Sequence, residues 1–290
     1  NKTKNVNHLF LNYENNLNIP NYSNSELKVQ VEKVTNDTYL KVFQNNLFDT
    51  PVMPDNQTTM NSYVNFYLDN DDQNFGAGFE VYENLGTKQS DRYQYTLPYY
   101  NFEKNLSSIV GKDSGGSLNF TTNGTNTLSN TNNLRTTISN SINYVSQDFI
   151  SSYGFKNNFN LYFSNSNTIG KNDSTYSSNL QIDGKSILKF DTSFPLSKSK
   201  DGQNESLIPK VSFRINPGNN VSDNSGSSSI INTNNVFDIG RLGIGDYEAG
   251  KSLTFGLDYK IDRIESGKYL GFRLATVIRD QNEPDIPSSS

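Results

Sequence analysis

Cysteine and tryptophan are absent from the 290 residues, and histidine occurs once, at His8. Without cysteine there is no thiol nucleophile, no disulfide staple and no Cys/His zinc site. A Ser-His-Asp apparatus would have to be built on His8, which sits in the Asn-rich opening stretch "NKTKNVNHLF" and reads as an exposed loop histidine. Apolar residues are also scarce: 33% are hydrophobic, mean hydropathy is -0.69, and no apolar run approaches the ~20 residues of a membrane helix. The net charge of -5, with 25 basic and 30 acidic residues evenly spread, supplies no basic stripe for nucleic acid.

What is present is aromatic and polar. Tyrosine (17) and phenylalanine (18) are too abundant for a disordered chain, while Ser, Thr and Asn fill most of the remainder. This composition suits strands that bury one face and keep the other wet. The period confirms it. In "KSLTFGLDYKID", Leu253, Phe255, Leu257, Tyr259 and Ile261 alternate with Thr254, Gly256, Asp258 and Lys260. "SLIPKVSFRIN", "GKYLGFRLATVIR" and "FKNNFNLYF" repeat the pattern, and weaker copies run through "SELKVQV", "NSYVNFYLD", "FGAGFEVYE", "DRYQYTLPYY", "SLNFTTN", "LRTTISNSINYV" and "LQIDGKSILKFDTSF". Side chains on a strand point alternately to two faces, so each segment has one apolar and one polar side.

About a dozen strands are expected, many of nine residues or more; soluble strands average about five or six, whereas tilted bilayer-crossing strands need about 9–11. The fold class that follows is all-β: an antiparallel transmembrane β-barrel segment, about a dozen strands of a larger barrel, spanning 1–290 as one partial domain. "TND" (35–37) and "DNDDQN" (69–74) read as tight turns. "LFDTPVMPDNQ", "TNGTNTLSNTN", "SNSNTIGKNDSTYS" and the stretch from Pro217 to about Gly250 read as long polar loops sharing one end of the sheet. That asymmetry is how outer-membrane barrels are built, although "EKNLSSIVGKDSGG" is a long connection on the short side. No helical periodicity is visible. The chain reads as an internal piece of a longer protein.

Chemistry-bearing motifs are weak. The run "NVFDIGRLGIGDYEAG" matches neither a phosphate-binding G-x-x-x-x-G-K-S/T loop nor the G-x-G-x-x-G of a dinucleotide fold, because a strand follows it rather than a helix; it reads as a hairpin tip. "DNDDQNFGAGFE" imitates a calcium loop, but Asn74 occupies the position where the sharp turn needs glycine. No pair of carboxylates is singled out for glycosidase work. "RYQYTLPYYNF" fits an interfacial aromatic girdle better than a sugar-stacking face. Neither enzymatic activity nor a cofactor or metal is expected.

Four segments, in order, resemble the barrel of the outer-membrane lipopolysaccharide-assembly family LptD. They are "SELKVQVEKVTNDTYLKVF", "SDRYQYTLPYYNF" with Leu97-Pro98, "FDTSFPLSKSKDGQNESLIPKVSFRINPGNN" with Pro195 and Pro209, and "NNVFDIGRLGIGDYEAGKSLTFGLDYKID". The last is the most specific, carried by Asn235, Phe237, Arg241, Gly245, Asp246, Glu248, Gly250, Gly256 and Tyr259; Tyr247 stands where the family usually has a second arginine.

The resemblance implies a transporter in the bacterial outer membrane, passing lipopolysaccharide through the barrel wall to the outer leaflet. Its expected partners are outer-membrane lipid, the plug lipoprotein LptE and, through a domain not in this sequence, the periplasmic bridge protein LptA. Lys210, Arg214, Asp258, Lys260 and Arg273 are expected to face the lumen, and Arg241 and Asp246 either pair or stand as two separate solvated charges. Two rival readings share the alternation: another outer-membrane barrel such as a porin or receptor, and a secreted soluble β-rich adhesin.

Overall fold

A computed structural model of the chain describes residues 6–43, 52–87, 91–110, 115–130, 132–218, 230–243, 247–264, 266–281 and 286. The elements follow in order as β1 (His8–Asn16), β2 (Asn24–Val34), a short helix α1 (Tyr39–Phe43), β3 (Thr59–Asn70), β4 (Gln73–Asn84), β5 (Tyr93–Asn105) and a second short helix α2 (Ser107–Val110). Then come β6 (Ser117–Ser129), β7 (Asn133–Val145), β8 (Phe149–Ile150), β9 (Lys156–Lys171), β10 (Gln181–Ser193), β11 (Leu196–Lys200), β12 (Gln203–Asn216), β13 (Gly250–Arg263) and β14 (Tyr269–Arg279). They form one 14-stranded sheet in the order β1-β2-β3-β4-β5-β6-β7-β9-β10-β12-β13-β14, with β8 paired to β9 and β11 to β12. The described pairings are antiparallel. β1 and β14 stand at the two ends of this order. No described helix is long and apolar enough to cross a membrane, which says nothing of strands.

Turn chemistry fixes the registers. Between β3 and β4, Asn70 Oδ1 accepts the backbone N–H groups of Asp72 and Gln73, both at 2.9 Å, closing a two-residue turn. Asp201 (φ 51) and Gly202 (φ 73) make the two-residue turn from β11 to β12, the left-handed pair that Asp-Gly supplies most readily. Pro98 lies in β5 where the register with β4 shifts between Gly78 and Glu80, as expected of a residue with no N–H for the ladder. Pro195 falls in the break between β10 and β11, two strands that both pair with β12. Pro209 lies within β12 opposite Leu257, and its carbonyl accepts from Phe194 N at 3.0 Å.

Several sequence expectations need correction. Residues 35–37 are not a tight turn but open the long β2–β3 connection, where Asn36 Oδ1 accepts from Thr38 N ahead of α1. His8 is not in a loop. It starts β1, its ring stacks on Phe10 at 4.7 Å, and its Nδ1 lies 2.5 Å from Tyr39 Oη. Stretches 122–132 and 164–177 are mostly strand, belonging to β6, β7 and β9, and the connections they contain are 130–132 and part of 172–180. Residues 111–114 of "GKDSGG" and 219–229 of the connection 217–249 lie outside the described residues.

The chain divides into two compact units. In the first (1–105, 120–141 and 165–183), cross-strand neighbours Lys28 and Asn65, and Glu26 and Tyr67, give a polar face. On the other face an edge-to-face ladder of rings, Phe66–Phe75–Phe102–Phe120, steps across four strands at centroid spacings of 6.2, 6.4 and 6.3 Å. Its only described apolar core cluster is small: Val34, Tyr39, Leu40, Met60 and Leu85 around α1.

In the second unit (106–119, 142–164 and 184–290) register and polarity agree across three strands. Ser212, Thr254 and Val277 share one face with Lys210, Gly256 and Ala275, while Phe213, Leu253 and Ile278 share the other with Val211, Phe255 and Thr276. Large apolar side chains on that second face are open: Phe255 is 39%, Phe272 47%, Leu274 56% and Ile278 59% exposed. The buried side chains of the described chain are more often polar or charged than apolar, Arg214, Asn216, Arg241, Glu248, Ser252 and Thr254 among them. The polarity is inverted relative to a water-soluble sheet.

Candidate functional site

The site is assembled where the connection 217–249 returns to the polar face of β12, β13 and β14. Gly250, with φ 74, turns the chain into β13 in a conformation that disfavours other residues. Further along, Gly256 leaves the room into which the loop folds: a Cβ there would stand 2.6 Å from Phe237 Cζ. Residues 235–243 are therefore not a protruding hairpin tip. They lie against the sheet, with Val236, Arg241 and Leu242 all buried.

Arg241 holds the loop there. A guanidinium has five N–H donors, and each is used. Nε donates to Glu248 Oε2 at 2.9 Å, Nη1 to Val236 O at 3.1 Å and Thr254 Oγ1 at 2.9 Å, and Nη2 to Ser252 Oγ at 3.0 Å and to Glu248 Oε2. Glu248 receives two further arginines. Arg214 Nη1 donates to Oε2 at 2.9 Å, and Arg279 Nε and Nη2 donate to Oε1 at 3.1 and 3.0 Å. Asn216 Nδ2 donates to the Glu248 backbone carbonyl at 2.8 Å. Three guanidinium groups thus converge on one carboxylate. Arg241 and Asp246 were expected either to pair or to stand as two separate solvated charges; among the described residues the carboxylate that Arg241 meets is that of Glu248. Gly245 and Asp246 lie outside the described residues.

Glu248 precedes β13, and its titration follows from these contacts. Burial pushes the carboxyl up, but the hydrogen bond from Arg241 and the fields of Arg241, Arg279 and Arg214 outweigh it and hold the group below its ordinary value of 4.5. A depressed folded pKa gives stability that is fully present above the ordinary value and is lost as pH falls through the folded one. A cysteine placed at buried Val236 is therefore expected to stay closed to a water-soluble maleimide through neutral and mildly acidic pH, opening only once pH has fallen below the ordinary carboxyl value of 4.5. Opening near pH 6 would contradict the assignment.

The five residues singled out on the strands share one face by register: Lys210 and Arg214 on β12, Asp258 and Lys260 on β13, and Arg273 on β14. The structure joins some of them. Lys210 Nζ donates to Asp258 Oδ2, Lys260 pairs with Asp262 at 2.8 Å, and Arg273 Nη1 donates to Asn234 Oδ1 in the folded-back loop at 2.7 Å. Arg214 alone of the five belongs to the Glu248 cluster. Asp258, Lys260 and Arg273 line an open groove of about 530 Å³ together with Thr233, Tyr269 and Ser206, and Lys260 Nζ lies 5.3 Å from the centre of the Tyr269 ring. The groove offers two cations, a carboxylate, hydroxyls and an aromatic ring, a set suited to polar groups.

Sequence reasoning missed Arg279, Asn216, Ser252 and Thr254 as partners of Glu248. Their only prior signal was the alternation that puts Ser252 and Thr254 on the polar side of β13.

A second bridged glutamate occurs in the first unit. Glu83 accepts from Lys33 Nζ and Arg92 Nε, both at 2.6 Å, and from Tyr93 Oη at 2.9 Å, while Arg92 also pairs with Asp37 at 2.8 Å, tying in the connection that carries α1. Among the described residues no group of acids and histidine could hold a metal ion. The architecture is that of an all-β protein with one large antiparallel sheet. No family model and no curated protein matches the chain.

Proposed function

We propose that the chain is wall and lumen lining of an outer-membrane β-barrel, and that this barrel belongs to the machinery that inserts lipopolysaccharide into the outer leaflet. One observation carries the membrane reading: open phenylalanine, leucine and isoleucine on one face, and hydrogen-bonded charge buried on the other. In lipid the outer face of a sheet needs apolar side chains, while the lumen accepts polar ones. Strands of 11–16 residues on the main path beyond β1 are long enough to span at a tilt. Lipopolysaccharide as cargo rests on the ordered segments that resemble the LptD family. In that setting the plug lipoprotein LptE is the polar face's partner, and LptA acts through a domain outside this sequence.

Single cysteines placed along β13 in native outer membranes test the reading with a water-soluble maleimide. Positions 255, 257, 259 and 261 are expected to be protected by lipid, and 258 and 260 to be labelled. Positions 252 and 254 stay closed because the loop covers them. Equal labelling of 257 and 258 would remove the membrane assignment. A photo-crosslinking side chain at 260 that captures no lipopolysaccharide while 258 remains wet would leave a barrel and remove the cargo.

A further inference from the structure

On the apolar face of the first unit, the row of rings and aliphatic side chains is interrupted at mid-strand by a neutral polar seam. Thr122 Oγ1 donates to Asn140 Oδ1 at 2.7 Å, Asn140 Nδ2 to Asn165 Oδ1 at 3.5 Å, and Asn167 Nδ2 to the same Asn165 oxygen at 2.6 Å. Beside it, Thr136 Oγ1 donates to Asn126 Oδ1 at 2.8 Å, and Asn126 Nδ2 to Leu97 O at 2.9 Å. The face is fixed by its neighbours. Phe120, two residues before Thr122, continues the ring ladder, and Tyr100 Oη lies 3.4 Å from Thr122 Oγ1. Ile138 and Ile169, each two residues from a seam asparagine, are 39% and 38% exposed.

Acyl chains offer such a seam nothing. Each asparagine amide carries two donor hydrogens and a carbonyl acceptor, and Asn165 Nδ2 and Asn167 Oδ1 have no partner among the described residues. In an apolar solvent, amides and hydroxyls on a spanning element associate with a partner that supplies hydrogen bonds. The seam holds no charge, so a charged partner would bring an unpaired ion into hydrocarbon. It presents spare donors and spare acceptors together, which makes it complementary to itself across a two-fold axis.

We propose that this seam is a homodimer contact in the plane of the membrane, joining the chain to a second copy through Asn140, Asn165 and Asn167. The proposal rests on the lipid-facing reading of this surface. The partner copy would close the free Asn165 amide and Asn167 carbonyl, with Ile138 and Ile169 packing beside them.

The sequence has no cysteine, so introduced thiols can be followed alone. In native membranes under mild oxidation, Ile138→Cys is expected to give a disulfide-linked dimer. Leu274→Cys, on the apolar face of the second unit, is expected to give none. Asn140→Leu combined with Asn165→Leu is expected to abolish the Ile138→Cys product. The proposal is overturned by no dimer at 138, by equal dimer at 138 and 274, by a product that survives the double substitution, or by an adduct whose mass shows a different protein. Comparing 138 with 274 needs no seam substitution, so a double variant that fails to assemble leaves the test intact. Ready labelling of Ile138→Cys by water-soluble maleimide would instead refute the lipid-facing reading itself.

Discussion

Replacing Glu248 with glutamine is expected to destabilise the folded chain by about 3–5 kcal/mol, the range for breaking a buried ion pair from one side. The size follows from what is left behind. Arg214 and Arg241 are 4% and 3% exposed, and after the substitution both remain in place with no anion. Arg241 keeps Val236 O, Ser252 and Thr254, which satisfy its donors in part but not its charge. Arg279, more open, rehydrates at little cost. The comparison is Lys260→Gln, whose exposed pairing with Asp262 is worth about 0–1 kcal/mol. Urea titration of the protein in lipid vesicles measures both, and a Glu248→Gln midpoint matching that of Lys260→Gln would show that the cluster holds nothing. A thiol at position 236 reports where the loss falls, because the loop is expected to open before the strands separate.

Leu257→Arg is expected to prevent assembly into the outer membrane, while Lys260→Leu leaves assembly unchanged. Leu257 sits near the middle of β13, paired with Pro209 on one side and Leu274 on the other, on the face that the proposed barrel turns to lipid. A guanidinium there meets hydrocarbon, at about 2–4 kcal/mol near the midplane. Lys260 faces the groove, where a leucine loses only a solvated pair. The amount of heat-modifiable folded protein recovered from membranes separates the two. Tolerance of Leu257→Arg with loss of Lys260→Leu would mean that the faces are reversed.

Period-two alternation was legible wherever apolar and polar residues differ sharply, which is why β12, β13 and β14 were found with their faces. It failed where both faces are polar or neutral. Residues 122–132 and 164–177 carry Asn, Ser, Thr and Gly, a composition that reads as loop in a water-soluble protein. In this sheet the same side chains form cross-strand contacts instead, such as Thr125 with Thr137 and Ser139 with Ser166. The short helix α1 escaped because five residues give no helical period to read. At the site, the sequence left Arg241 and Asp246 as either a pair or two solvated charges and did not single out Glu248 as a partner. The choice of Glu248 depends on Arg214 and Arg279 arriving from strands 34 and 31 residues away, and no local pattern encodes that meeting.

The order of the strands bears on how the molecule is made. Nearly every strand pairs with its immediate neighbours in sequence, so contacts are local for so large a sheet, and local contacts favour rapid folding. Growth hairpin by hairpin closes short loops, apart from the connection 35–58, until β13 must find β12 across the connection 217–249. Loop-closure entropy rises only logarithmically with length, but this is the longest closure on the path. The arginines that gather around Glu248 therefore lie where chain delivery has its bottleneck, and a chain arrested there would expose the bare edge of β12 to proteases and to other unfinished sheets.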